Sequence, residues 1–229
     1  MQFQAPESLS EQIAQHIGRQ IITGALRPGE RIQELKVAGE LDVSRGSVRE
    51  SLLILERRHL IRIYPRKGAV VSGMTPELVN SLYDIYLNLL EMLADRFMAA
   101  RTASDEQPLL QSIHQLCRRL SGDPSEVGEV IDGGLEVMRL CYPVVANPYL
   151  EETLENFRPA ISRTYYLVLA NDPGEMQVSR TYFQRIADRV EADDHQGVTE
   201  VIRAFGEHQR EVALQALARD ESLTIEPAS

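Results

Sequence analysis

Residues 60–71, LIRIYPRKGAVV, narrow the fold more than any other stretch of the chain. Leu60-Ile61-Arg62-Ile63 alternates, Tyr64-Pro65-Arg66-Lys67-Gly68 has the chemistry of a turn, and Ala69-Val70-Val71 alternates back. Two short alternating runs around a Pro/Gly turn predict a β-hairpin. What precedes it has helical periodicity. Residues 8–24 place Ile13, Ile17, Ile21 and Ile22 at helical spacing, with Ser8 or Ser10 as the cap and Gly24 as the stop. ALRPGERI reads as a turn, because Pro28-Gly29 cannot continue a helix. A short helix is expected from about Gln33 to Leu41. Another follows the N-cap Ser44, with Val48, Leu52 and Leu55 facing inward.

Helix, helix-turn-helix and hairpin together make the layout of a winged helix-turn-helix, predicted for residues 1–74. Gly73-Met74-Thr75-Pro76-Glu77 is the junction, with proline at the first helical position. Everything beyond it reads as helix, in spans near 76–101, 105–121, 125–144, 149–169, 175–193 and 196–218. The breaks fall at Ser104-Asp105, Gly122-Asp123-Pro124, Asn147-Pro148, Asn171-Asp172-Pro173-Gly174 and Asp193-Asp194. Pro143 and Pro159 lie inside two spans and are expected to kink or shorten them. The fold class is therefore mainly α: a winged helix-turn-helix, an all-helical bundle over 75–222, and a flexible tail at 223–229.

Charge separates the two parts. Residues 1–75 hold 11 Lys/Arg against 8 Asp/Glu, a net of +3, whereas the rest hold 13 against 26, a net of -13. An acidic body repels polyanions, so a nucleic-acid role belongs to the first 75 residues. No run of about 18 apolar residues is present, so no membrane partner is expected. The first residues have neither the basic nor the apolar region of a secretory signal. Cys117 and Cys141 do not make a disulfide framework or a metal-ligand spacing, and a reducing cytoplasm is the expected compartment.

The stretch SRGSVRESL, residues 44–52, carries the binding chemistry. A major groove accepts one α-helix, whose N-terminal residues reach base edges. Ser44, Gly46 and Ser47 are short enough for close approach, and Arg45 and Arg49 share a face at i and i+4. The helix start presents N–H groups to a phosphate. Arg66, Lys67 and Gly68 at the hairpin tip extend the same basic surface, Gly68 allowing a backbone to come near. An arginine pair on one helical face is most often a solvated surface. Its company here, a basic wing in the basic third of an acidic chain, points to double-stranded DNA.

At these residues the chain resembles the DNA-binding domain of the GntR transcription regulators. The shared features are Pro28-Gly29, Glu34-Leu35, Val43-Ser44-Arg45, Val48-Arg49-Glu50, Leu52 and the wing Arg66-Lys67-Gly68. The helical remainder resembles the FCD-type effector domain of the FadR branch, with Ala146-Asn147-Pro148-Tyr149-Leu150 as the local marker and six helices as in its VanR-like subgroup. The resemblance implies a homodimer on a short palindromic operator.

Many members of that branch bind a divalent metal through an Asp and a His one turn apart and two later histidines. Aligned on Asn147-Pro148, the first two positions are Gly134 and Met138; aligned on Asp194, the later two are Phe183 and Phe205. Leu87 stands where an arginine often anchors a carboxylate effector, four residues before Glu91. No metal or other cofactor is therefore expected. A different register through Asp132, Glu136 and His208 would need two independent shifts; otherwise His114, His195 and His208 are expected as surface or capping residues. Met and Phe at helical spacing either fill a core or line an apolar pocket for an acyl or aromatic effector. Such a pocket would draw on Leu87, Asn88, Glu91, Gly134, Met138, Arg163, Tyr166, Phe183 and Phe205, with Tyr165 a further polar candidate.

Three functions compete at this level: a ligand-responsive regulator, a constitutive DNA-binding dimer with a filled helical core, and an enzyme. No nucleophile motif, phosphate loop, HExxH or Cys/His metal set is present, which disfavours the third.

Overall fold

The computed structural model describes residues 8–121 and 127–224 of the chain. They fall into two compact units, one of residues up to Thr75 together with 220–224, the other Pro76–Arg219.

In the first unit, α1 (Leu9–Ile22) is capped by Ser8, whose hydroxyl accepts the Glu11 amide at 3.1 Å. Its apolar stripe buries Ile13, Ile17 and Ile21. The helix-turn-helix follows as α2 (Glu34–Leu41) and α3 (Arg45–Arg57), with Asp42 left-handed (φ 51°) at the reversal. Ser44 caps α3 by accepting the Ser47 amide at 3.1 Å, and Val48, Leu52 and Leu55 turn into the core. Strands β2 (Ile61–Tyr64) and β3 (Gly68–Val71) form the hairpin, with Ile61 opposite Val71 and Ile63 opposite Ala69.

One element departs from the expectation. Arg31–Ile32, within the segment read as a turn, is a short strand β1 that pairs antiparallel with β3, so the sheet has the order β1-β3-β2. Two residues are too few to show alternation, and β3 supplies the missing backbone partners. Two polar contacts tie α1 to α3: Ser10 Oγ donates to Glu50 at 2.6 Å, and Arg58 pairs with Glu11 at 2.8 Å. Glu56 accepts the Ile63 amide at 2.7 Å and fixes the hairpin to the same helix.

The second unit is a bundle of α4 (Pro76–Ala100), α5 (Ala103–Arg119), α6 (Val127–Val145), α7 (Pro148–Asn171), α8 (Gly174–Glu191) and α9 (His195–Arg219). Helix α5 starts two residues earlier than its spacing suggested, because Asp105 accepts the Thr102 amide (2.9 Å) and hydroxyl (2.6 Å). The proposed break at Gly122-Asp123-Pro124 lies outside the described residues. The prolines do not shorten their helices: α6 runs through Pro143 to Val145, and α7 through Pro159 to Asn171. A proline removes one ladder bond, and burial of residues such as Ile161 and Val168 on the far side of Pro159 holds the helix beyond it.

Helix α9 packs against α4, α7 and α8. A glycine makes the first of these contacts possible: a Cβ on Gly206 would fall inside the Leu87 side chain. Arg101, almost fully buried, joins helix ends by pairing with Glu106 (3.0 Å) and Asp193 (2.7 Å). That contact holds the Asp193 carboxyl below its ordinary range. Among the described residues no helix is long and apolar enough to cross a membrane. The expected flexible tail at 223–229 begins with ordered chain instead. Glu221–Thr224 forms a 3-10 turn, and the Leu223 carbonyl accepts the Met74 amide at 3.0 Å. Residues 225–229 lie outside the described part.

Candidate nucleic-acid interface and effector cavity

The start of α3 presents its charge outward. The Arg45 and Arg49 side chains are 55% and 63% exposed, and both reach back to Glu34 on α2, at 3.9 and 2.8 Å from the same carboxylate oxygen. Exposed pairs of this kind contribute little stability, so the guanidinium groups exchange Glu34 for another acceptor at small cost. Sequence reading noted Glu34 only as half of a Glu-Leu pair; its bridging role appears once α2 and α3 are packed. The first N–H groups of a helix have no acceptor within it. Ser44 Oγ takes that of Ser47, and its hydroxyl lies 2.9 Å from the Ser47 hydroxyl. The amides of Arg45 and Gly46 open the helix, where an anion is stabilised.

At the wing, Arg66 (φ 67°) and Gly68 (φ 80°) both take left-handed backbone to close the tight turn, and Arg66 and Lys67 are exposed. Gly68 differs from expectation in what lies over it. The Arg31 guanidinium sits 3.6 Å from where a Cβ would be, so the chain's own arginine covers this glycine. Arg31, on β1, thereby joins the basic surface of the wing. Sequence reading missed it because β1 was taken as turn.

The second unit holds a cavity of about 130 Å³ among its helices. Gly134, Met138, Phe183 and Phe205, the four positions aligned with metal ligands of relatives, all line it. The Phe183 and Phe205 rings meet edge-on at 5.5 Å, Phe183 lies against Gly134, and the Tyr86 hydroxyl points to the Met138 sulfur at 3.7 Å. Burial pushes the Tyr86 and Tyr165 phenols well above their ordinary range, so both remain neutral donors. These large side chains leave space between them.

Five of the expected pocket residues do not line it. Leu87 is buried against Gly206 and serves packing. Asn88 is exposed and donates to the Asp84 carbonyl at 2.5 Å. Glu91 pairs with Arg203 at 2.7 Å. Arg163 is buried elsewhere in α7, and desolvation lowers its pKa to about 10. Tyr166 is half-buried outside the cavity, whereas its neighbour Tyr165 lines it. Sequence reading also missed Gln209 and Ser179, both buried at the cavity wall. Gln209 lies one turn beyond Phe205, and that spacing was its available signal.

Asp132 and Glu136 are exposed, while His208 is engaged by Glu175 at 2.7 Å. Among the described residues, no three His, Cys, Asp or Glu come together as metal ligands would. Cys117 and Cys141 are buried; burial raises both thiols, Cys141 to about 12, which disfavours the reactive thiolate.

Comparison with known proteins accords with both units. Residues 9–71 match the family described as bacterial regulatory proteins, gntR family, and residues 81–208 match the FCD domain. YdhC of Bacillus subtilis (strain 168), an HTH-type transcriptional regulator, is 24% identical over 87% of this chain and 88% of its own length. The gluconate operon transcriptional repressor of the same organism is 31% identical, but the match spans 48% of this chain and 43% of the repressor. Among solved structures, Escherichia coli McbR/YncC superposes with a TM-score of 0.77 at 20% identity, over 92% of this chain and 99% of that one. With these matches on both units, the chain belongs to the GntR family of bacterial regulatory proteins, a DNA-binding transcription regulator with an FCD domain and not an enzyme.

Proposed function

We propose that two copies of this chain bind a short palindromic operator as a homodimer, and that a small molecule in the helical cavity sets the affinity. The exposed Arg45–Arg49 pair at the capped start of α3 is the observation that carries the DNA half. In this reading α3 enters the major groove, Arg45 meets a base edge, and Arg66, Lys67 and Arg31 contact the backbone beside it.

A row on α4 supports self-association. Leu78, Ile85 and Met92 are 37%, 53% and 42% exposed and recur every seven residues, with the half-buried Leu82 and Leu89 between them. Such spacing matches the seam along which two helices pair, and a two-fold dimer matches a palindrome.

The cavity supports a ligand-responsive regulator over a filled core. The effector is held without metal, since Gly134, Met138, Phe183 and Phe205 offer no hard donor. Modulation requires the ligand to favour one arrangement of the paired DNA-binding units over the other. The test is titration of a duplex, selected by the protein from a random library, followed by sedimentation. Two chains on one palindrome, released or tightened by a cavity ligand, is the expected result. One chain per site, or affinity indifferent to every stabilising ligand, would contradict it.

A further inference from the structure

Among the described residues, the cavity is walled without a formal charge: none of those that line it is Lys, Arg, His, Asp or Glu. The neighbouring Glu175 and His208 engage each other at 2.7 Å and do not line the cavity; the Tyr182 ring meets His208 at 5.9 Å and Phe205 at 5.1 Å. An anion placed in the cavity would lose its hydration with no countercharge in the wall, a cost far above that of an unpaired neutral group.

One polar group at the wall lacks what it needs. Gln209 is 2% exposed, lines the cavity, and its Nε2 has no hydrogen-bond partner. Folding tolerates an unsatisfied buried donor at an appreciable cost, and a ligand acceptor would remove that cost. Size adds a bound. A dry apolar cavity of roughly 150 Å³ takes benzene, so about 130 Å³ suits a molecule of single-ring size.

We infer that the cavity of the helical unit takes an uncharged, compact, largely apolar molecule of single-ring size, which presents one hydrogen-bond acceptor to the Gln209 amide. This deepens the reading of the helical unit as an effector domain and depends on it. Phe183, Phe205 and Met138 hold the apolar body, and Gln209 selects for a carbonyl or ether oxygen.

Three probes of similar size separate the possibilities when added to the full-length protein: acetophenone, ethylbenzene and benzoate. Acetophenone should raise the melting temperature and bind at least about tenfold more tightly than ethylbenzene by calorimetry, with benzoate weakest. In Gln209→Met the advantage of acetophenone should shrink to within about twofold while ethylbenzene still binds, which also reports that the cavity is intact. Benzoate binding best, or an undiminished acetophenone preference in Gln209→Met, would overturn the inference. Silence to all three probes while a metal ion or a longer acyl compound stabilises the fold would overturn this ligand class and leave the effector reading standing. No stabilisation by any compound would overturn both.

Discussion

The two units place their polar chemistry in opposite ways. At the start of α3, Arg45 and Arg49 stand in water, and their partner Glu34 sits on the adjacent helix. In the bundle, the wall of the cavity is apolar, and its unpartnered amide, Gln209, is hidden. A surface that must capture a polyanion needs charge that is cheap to re-pair. A site that must recognise a small neutral molecule needs dryness and one well-placed donor. Charge at the head and its exclusion from the cavity are complementary solutions, consistent with the +3 and -13 division of the chain.

The severest break in this contrast is at α4. Ile85→Asp places a charge at the middle of the apolar row and is expected to leave monomers that fold but lose avidity. Affinity for the palindrome should fall by about 100-fold or more, with a lower mass in sedimentation. An unaltered dimer would move the interface elsewhere. Next comes the bundle itself. Gly206→Ala drives a Cβ into Leu87 and should cost about 1–3 kcal/mol, lowering the melting temperature of the helical unit by several degrees. An unchanged melting temperature would show that α4 and α9 can move apart freely.

How much of this was readable beforehand follows the same divide. The reading head is contiguous: Ser44 to Arg49 and the wing lie within one short stretch, and periodicity and caps are local signals. What escaped there, Arg31 and the bridging of Glu34, depends on β3 and α3 packing against distant segments. The cavity draws on helices far apart in sequence. Alignment of Gly134, Met138, Phe183 and Phe205 located residues on three of its helices, α6, α8 and α9, because each was anchored on a nearby helix break. Polar partners were harder. Adjacent helical residues point about 100° apart, so of the two tyrosines named Tyr165 lines the cavity and Tyr166 does not, and His208 was weighed where Gln209 lines it. Leu87 looked like a ligand position until Gly206 was seen to require it for packing.

Smaller effects sharpen the contrast further. Lys67→Ala should weaken binding almost equally on all duplexes and reduce the salt dependence of log K against log salt by about 1. A sequence-dependent loss would instead place Lys67 at a base edge. The cysteines should be silent: with Cys141 raised to about 12 and buried, a thiol reagent at pH 8 should modify it only on unfolding. Rapid labelling of the native protein at Cys141 would show that the bundle opens.

Recognition through α3 has one direct measure, the ratio of affinities for the selected operator and a scrambled duplex, taken for the native chain and for Arg45→Ala at one salt concentration. If Arg45 reads a base edge, the substitution should collapse that ratio by about 5- to 150-fold, equivalent to ~1–3 kcal/mol, while binding to the scrambled duplex changes little. An unchanged ratio would contradict insertion of this helix into the groove.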